Sequence, residues 1–190
     1  MKELNIYKIR DLALNSKRAV YSIQQLSNLI KKPKRIAKVY ASRIVRKGLA
    51  SKPMRGRLAF VDDLYVMATQ LIEPSYISLF SSLNFHGLMT QVPRDIECVT
   101  PKNSRCFETL GIVYHKIPPS LFYGYEKYAK AGSYVFVADP EKAVVDGVYL
   151  NALPENMMTE VVERMDRRKL EMYVRRYEGH GRKKLERCLI

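Results

Sequence analysis

The sequence predicts an α+β protein in two parts: a basic, helical N-terminal third and a longer second part with a small sheet and a helical C-terminal tail. Two observations predict this organisation. Residues 1–60 hold 16 Lys and Arg but only two acids, Glu3 and Asp11, so the whole net charge of +14 lies there. Residues 61–190 hold 17 basic and 17 acidic residues, and short apolar runs separated by Pro and Gly fill residues 96–138. We therefore expect one domain over 1–62 and another over 63–190.

Composition excludes several classes of protein. Hydrophobic residues make up 47% and charged residues 27% of the 190 positions, which is typical of globular chains and not of disordered ones. No apolar run approaches the roughly 18 residues of a membrane span, and the N-terminus lacks the apolar stretch of a signal peptide. The three cysteines form no closely spaced pair, which favours a reducing compartment. We expect a cytoplasmic protein without a membrane partner.

The basic third contains the start and stop signals of three helices. A first helix is predicted over Leu4–Leu14. Ser22 followed three residues later by Gln25 is a capping box, and the second helix should end near Lys32 because a residue before proline avoids α geometry. A third helix is predicted from Pro33 to Lys47, with Gly48 as its C-terminal cap.

The third predicted helix has two distinct faces. At about 100° per residue, one face carries apolar side chains and the opposite face carries basic and small polar ones. The apolar set is Ile36, Ala37, Tyr40, Ala41 and Ile44, and the opposite set is Arg35, Lys38, Ser42 and Arg46. Two helices joined by about three residues, the second basic on its outer face, are typical of a helix-turn-helix whose second helix enters the major groove of DNA.

A basic hairpin is predicted directly after this helix. Residues 49–52 and 57–61 are expected to be its strands, and Pro53-Met54-Arg55-Gly56 its turn. A small hairpin in this place is a wing, so the sequence predicts a winged helix-turn-helix that binds double-stranded DNA. The residues predicted to contact DNA are Lys31, Lys32, Lys34, Arg35, Lys38, Ser42, Arg43, Arg46, Lys47, Arg55 and Arg57. The alternative is a soluble basic domain with a solvated charged face.

The second part is expected to be a mixed α/β domain. Helices are predicted over 62–72 and 75–86, and strands over 96–100, 111–117, 121–125 and 134–138. Asp139 is placed at the N-cap of a helix that has Pro140 at its first position and reaches about Leu150. Charged helices are predicted over 155–165, from Asp166 to Gly179, and over 181–190.

Five stretches of the sequence carry a resemblance to a known family. Three lie in the second part, PSYISLFSSLNFHGL, LFYGYEKY and VFVADPEKAVVDGVYL, and two in the first, SIQQLSNLI and VYASRIVRKGLASKPMRGRLAF. The first three resemble the AbiEi family of antitoxins, and the last two resemble the winged helix of that family. The likeness covers residues 17–150. The resemblance implies a transcriptional repressor that binds inverted repeats in its own operator, with a second copy on the DNA. It also implies an antitoxin of a type IV toxin–antitoxin system, which opposes a nucleotidyltransferase-like toxin without tight direct binding. The alternatives are a winged-helix regulator without an antitoxin role and a metal-dependent nuclease.

No cofactor, metal site or catalytic residue is predicted. Asp139, Glu141 and Lys142 echo the acid-and-lysine set of metal-dependent nucleases, but the adjacent Glu141 and Lys142 point in different directions on any regular backbone. The acids are interpreted instead as favourable residues at a helix N-terminus. Cysteines eight positions apart and isolated histidines do not have the spacing of a zinc site.

Tyrosines are concentrated in one part of the second domain. Tyr114, Tyr123, Tyr125 and Tyr128 are the candidates for a protein interface, because tyrosine offers a large contact area with a polar end. The alternative is that these side chains pack the predicted sheet. Arginines of the tail are typical of a solvated helical surface, with phosphate contact as the alternative.

Overall fold

The computed structural model describes residues 4–153 and 161–190 and confirms an α+β fold with a mixed sheet. The chain divides into two compact units. The first comprises residues up to Leu71 together with Tyr128–Val135, and the second comprises Ile72–Lys127 together with Phe136–Ile190. The division falls after the helix that begins at Leu64, nine residues beyond the predicted boundary at 62. No helix in these described ranges is both long and apolar enough to cross a membrane.

The first unit consists of four helices and a small antiparallel sheet. Its elements are α1 (Ile6–Asn15), β1 (Val20–Ser22), α2 (Ile23–Leu29), α3 (Lys34–Arg46), β2 (Arg57–Ala59) and α4 (Leu64–Leu71). Asn5 caps α1 by accepting a hydrogen bond from the Lys8 amide. The three helices α1, α2 and α3 surround one apolar core whose central side chains, Ile9, Leu26 and Ile44, have no exposed surface.

The hairpin predicted over 49–61 is only partly correct. β2 pairs with β1, with Tyr21 opposite Leu58, and not with a strand over 49–52. The 49–52 segment contributes a single bridge, between Ser51 and Ala59. Val20 and Tyr21, for which the sequence predicts no strand, therefore belong to the strand that completes this sheet.

A six-stranded mixed sheet has the strand order β5-β6-β4-β3-β8-β7. Its residues belong to the second unit except those of β7 and β8 that fall within Tyr128–Val135. The strands are β3 (Tyr76–Ile77), β4 (Ile96–Thr100), β5 (Arg105–Phe107), β6 (Ile112–Lys116), β7 (Tyr125–Lys130) and β8 (Ser133–Ala138). The outer strand β5 is antiparallel to β6, and β6 is parallel to β4. β3 is antiparallel to β4 and parallel to β8.

The helices of the second unit whose bounds lie within the described residues are α5 (Leu79–Phe85), α6 (Pro140–Tyr149), α7 (Arg167–Val174) and α8 (Gly179–Leu189). α6 is buried over almost its whole length and carries Val144, Val145 and Val148 into the core. Leu170 of α7 and Leu185 of α8 join the same core. α6 starts where the sequence predicts, with Asp139 at the N-cap and Pro140 at the first helical position.

Two predicted elements of the second unit differ from the structure. The helix predicted over 75–86 begins only at Leu79, because Tyr76 and Ile77 form the central strand β3. The strand predicted over 121–125 is instead a 3-10 turn over Pro119–Leu121, followed by β7 from Tyr125. Most of the predicted helix over 155–165 lies outside the described residues, and the helix that follows Asp166 ends at Val174 and not near Gly179.

Candidate nucleic-acid interface

The α2–α3 connection is fixed by hydrogen bonds that the sequence partly predicts. The capping box is present: the Gln25 amide donates to Ser22 Oγ at 3.1 Å, and the Ser22 amide donates to Gln25 Oε1 at 2.7 Å. After α2, Ser27 Oγ donates to the Lys32 carbonyl at 2.6 Å, and Lys31 takes a left-handed conformation with φ 51°. These contacts set the direction in which α3 leaves the turn.

α3 buries one face and presents a cationic one. Ala37, Ala41 and Ile44 lie in the core, and the helix contains no acidic residue. Of the residues predicted to contact DNA, all but one are exposed: Lys31, Lys32, Lys34, Arg35, Lys38, Ser42, Arg43, Arg46, Lys47 and Arg55. Arg57, the remaining one, is half-buried in β2. Among the described residues, the five cations of α3, at positions 34, 35, 38, 43 and 46, have no carboxylate partner.

A groove of about 490 Å³ runs between α3 and the segment 52–57. Apolar side chains from α2, α3 and β2, including Ile23, Val45 and Leu58, lie at its walls. Five cationic residues line the same groove: Lys38, Arg46, Lys52, Arg55 and Arg57. Gly56 allows the turn at its edge with φ 79°. A concave surface with five positive charges is suited to an extended polyanion such as a phosphate backbone.

The structure adds one residue to the predicted surface. Val39 is 46% exposed and lies on the outer side of α3 among the cations. Sequence reasoning considered only charged and polar residues for this face and therefore missed it. The helical spacing could have identified Val39, because it is four residues from Arg35 and seven from Arg46 and so lies on the same face of the helix.

The four candidate interface tyrosines lie in different surroundings. Tyr114 is only 1% exposed and leaves little area for a partner, because its position in β6 directs it into the core of the second unit. Tyr125 stacks on Tyr76 with ring centroids 4.6 Å apart. Tyr123 lies beneath the Arg176 guanidinium, 4.3 Å from the ring centroid. Tyr128 is half-buried in β7. Packing within the second unit is sufficient to explain why positions 114 and 125 carry a tyrosine.

The acids and the lysine at the start of α6 belong to two separate groups of ion pairs. Lys169 Nζ lies 2.9 Å from Asp139 Oδ2 and 3.4 Å from Glu141 Oε2, so a cation from α7 already occupies the space between the acids. Tyr173 also donates a hydrogen bond to Asp139. Lys142 lies on the other side of α6 and pairs with Asp146. Lys169 thus pairs with both acids, and these contacts link α7 to the start of α6.

Cysteine and histidine residues are dispersed. Cys98 is buried, Cys106 is exposed and Cys188 is half-buried, and all three are free thiols. His115 Nε2 lies 3.6 Å from Glu97 Oε1 on adjacent strands. Within residues 4–153 and 161–190, no three His, Cys, Asp or Glu side chains are grouped as a metal ion would require.

No protein-family model matches the chain, and no curated protein matches it.

Proposed function

We propose that the chain is a DNA-binding transcriptional repressor whose first unit is a winged helix-turn-helix. The observation that carries this proposal is the coincidence of the charge excess with the exposed face of α3. All of the net charge of +14 lies in residues 1–60, and α3 presents its share of that charge without an acidic neighbour on the helix. A helix of this kind, next to a groove lined by further cations, fits the phosphates and base edges of duplex DNA.

The cationic and polar residues in and around α3 have different roles in this proposal. Arg35, Lys38, Ser42 and Arg46 face the major groove, where an arginine or lysine can bind the O6 and N7 atoms of guanine. Lys31, Lys32, Lys34, Arg43 and Lys47 flank that face and neutralise phosphates. Arg55 and Arg57 hold the segment after α3 against the DNA backbone.

The experiment is a salt titration of the full chain with a labelled duplex, followed by fluorescence anisotropy. If about six phosphates are neutralised, the logarithm of the affinity should fall with the logarithm of the salt concentration at a slope near −5. The variant R35Q/K38Q/R43Q/R46Q should bind weakly and with a shallower slope. A matched variant, R94Q/K102Q/R105Q/K116Q, removes four exposed cations from the second unit and should bind like the unmodified chain. A slope near zero for the unmodified chain contradicts the proposal.

Repression of its own operon requires paired half-sites. We propose that two copies bind inverted repeats about one helical turn, or a multiple of it, apart on the same side of the DNA. Footprinting upstream of the gene should show two protected half-sites of opposite orientation. A single unpaired footprint contradicts this arrangement.

The resemblance supports a second role, neutralisation of a nucleotidyltransferase-like toxin by the second unit. The R35Q/K38Q/R43Q/R46Q variant tests it in the full chain, because the changes lie only in the first unit. Growth rescue in cells that express the neighbouring toxin should persist in this variant while repression is lost. Failure of the unmodified chain to rescue growth leaves a regulator without an antitoxin role.

A further inference from the structure

Val39 is an exposed valine in the middle of a cationic helix face. We propose that Val39 is a specificity-determining residue that contacts the C5 methyl group of a thymine in the major groove. The inference rests on the proposed DNA binding and adds to it the chemistry of one base in each half-site.

The position of Val39 follows from helical spacing. Arg35, Val39, Ser42 and Arg46 are separated by four, three and four residues, so they form one stripe along α3. The buried residues Ala37, Ala41 and Ile44 lie on the other side of the helix. A major groove that receives this stripe therefore meets, in order, an arginine, a valine, a serine and an arginine.

The positive charges around Val39 restrict the kind of molecule that can bind to this face. Lys38 and Arg43 flank the stripe, and no acidic side chain lies on α3. A partner that covers this face has to be strongly anionic, and an isolated valine gives too small an apolar area to hold a protein. The major-groove edge of DNA combines phosphates on both sides with one apolar group, the thymine methyl.

The side chains on either side of Val39 predict which base pairs flank this thymine. Arg35 and Arg46, at the two ends of the stripe, are the side chains suited to guanine, while Ser42 is compatible with any base. The expected half-site therefore contains a thymine between two guanine-containing base pairs. Because one buried methyl group is worth about 0.8 kcal/mol, loss of the contact should weaken binding about fourfold.

The test begins with selection of the preferred duplex from a randomised pool by the full chain. Each thymine of the selected half-site is then replaced in turn by deoxyuridine, which lacks only the C5 methyl group. For the unmodified chain, one replacement should raise the dissociation constant about fourfold. For Val39→Ala, the same replacement should have no effect, since the valine methyl groups are already absent. Val92→Ala shortens another exposed valine, one in the second unit, and should retain the full fourfold penalty.

The outcomes separate this inference from the proposed function. A chain that selects no sequence and binds without salt dependence overturns both. A chain that binds with the expected salt slope but shows no sensitivity to deoxyuridine, or shows the same sensitivity in Val39→Ala, overturns only the role of Val39. Thermal unfolding of Val39→Ala at the same temperature as the unmodified chain excludes misfolding as the cause of a difference.

Discussion

Lys142 and Asp146 form an ion pair one turn apart on α6, and neither side chain has any exposed surface. Asp146 also accepts hydrogen bonds from Tyr76 at 2.9 Å and from Ser78 at 2.8 Å. Tyr177, which follows α7, is 3.3 Å from Lys142 Nζ. Gly124 lies so close to the lysine stem that a Cβ there would be 3.0 Å from Lys142 Cγ. The pair thus connects the central strand, the buried helix and the C-terminal segment of the second unit.

Asp146→Asn should destabilise the second unit by about 3–5 kcal/mol, because it leaves a buried lysine without a counter-charge. Urea unfolding of the full chain measures this change. The double variant K142M/D146L removes both charges and should lose much less stability than Asp146→Asn. Arg182→Gln breaks an exposed pair with Glu186 and should cost less than about 1 kcal/mol. Equal losses for Asp146→Asn and Arg182→Gln would contradict the importance of the buried pair.

Alkaline pH should destabilise the second unit through the same cluster. Burial raises the pKa of Tyr76 and Tyr177 far above the ordinary value near 10, and raises the pKa of Tyr123 to about 12. Above pH 10 the unfolded chain loses these phenol protons while the folded chain keeps them. The folded state then binds more protons, so the free energy of unfolding falls as pH rises.

The titration of Lys142 changes the free energy of unfolding in the opposite direction, over a lower range of pH. Burial lowers its pKa, so between that value and about 10.5 the unfolded chain binds the extra proton and stability rises with pH. Above pH 10.5 the contribution of Lys142 no longer changes with pH, and the phenols of this cluster lower the free energy of unfolding. Urea unfolding between pH 9 and 12 should therefore show a decline at the alkaline end, and Tyr123→Phe should make the decline shallower. An unchanged slope in Tyr123→Phe would contradict this assignment.

Local signals in the sequence predicted the elements that depend on neighbouring residues. The capping box at Ser22, the two faces of α3 and the Asp139-Pro140 start of α6 each depend on contacts within four positions, and all are present. β1 and β3 were missed because strands of three and two residues are too short to show an alternating pattern. β3 was further obscured because Ser75 looks like a helix cap, whereas Ser78 holds that position.

The burial of a side chain by residues far away in the sequence could not be predicted. A lysine on a helix is expected at the surface, and nothing near Lys142 in the sequence indicates otherwise. Its burial depends on Tyr177, 35 positions away, and on the bonds that Asp146 receives from residues about 70 positions away. The exposure of the basic face of α3 agrees with the sequence pattern, whereas Val39 was overlooked because an apolar residue on that face was assigned no role.

Gln70→Leu should destabilise the first unit by about 2–4 kcal/mol. Gln70 is fully buried in α4, and its Oε1 accepts hydrogen bonds from the Ala19 amide at 2.8 Å and the Val20 amide at 3.1 Å. Its Nε2 donates to Ser133 Oγ and to the Tyr134 carbonyl, both at 3.0 Å. Leucine has a similar volume but cannot make these four hydrogen bonds. Hydrogen exchange at Ala19 and Val20 should quicken.

The matched control for this change is Gln91→Leu, because Gln91 is exposed. Its stability should stay within about 0.5 kcal/mol of the unmodified chain. Equal unfolding midpoints for Gln70→Leu and Gln91→Leu would show that the four hydrogen bonds add little.

Ser42→Glu should weaken DNA binding at least tenfold without loss of stability. Ser42 is exposed on the stripe of α3 and lines the basic groove, so a carboxylate there would lie among Lys38 and Arg46 and repel phosphates. Anisotropy titration with the selected duplex at fixed salt measures the effect. Ser120→Glu adds the same charge at an exposed site of the second unit and should bind within about twofold of the unmodified chain. Equal weakening by both substitutions would assign the effect to net charge; equal binding by both would show that the face of α3 does not meet the DNA.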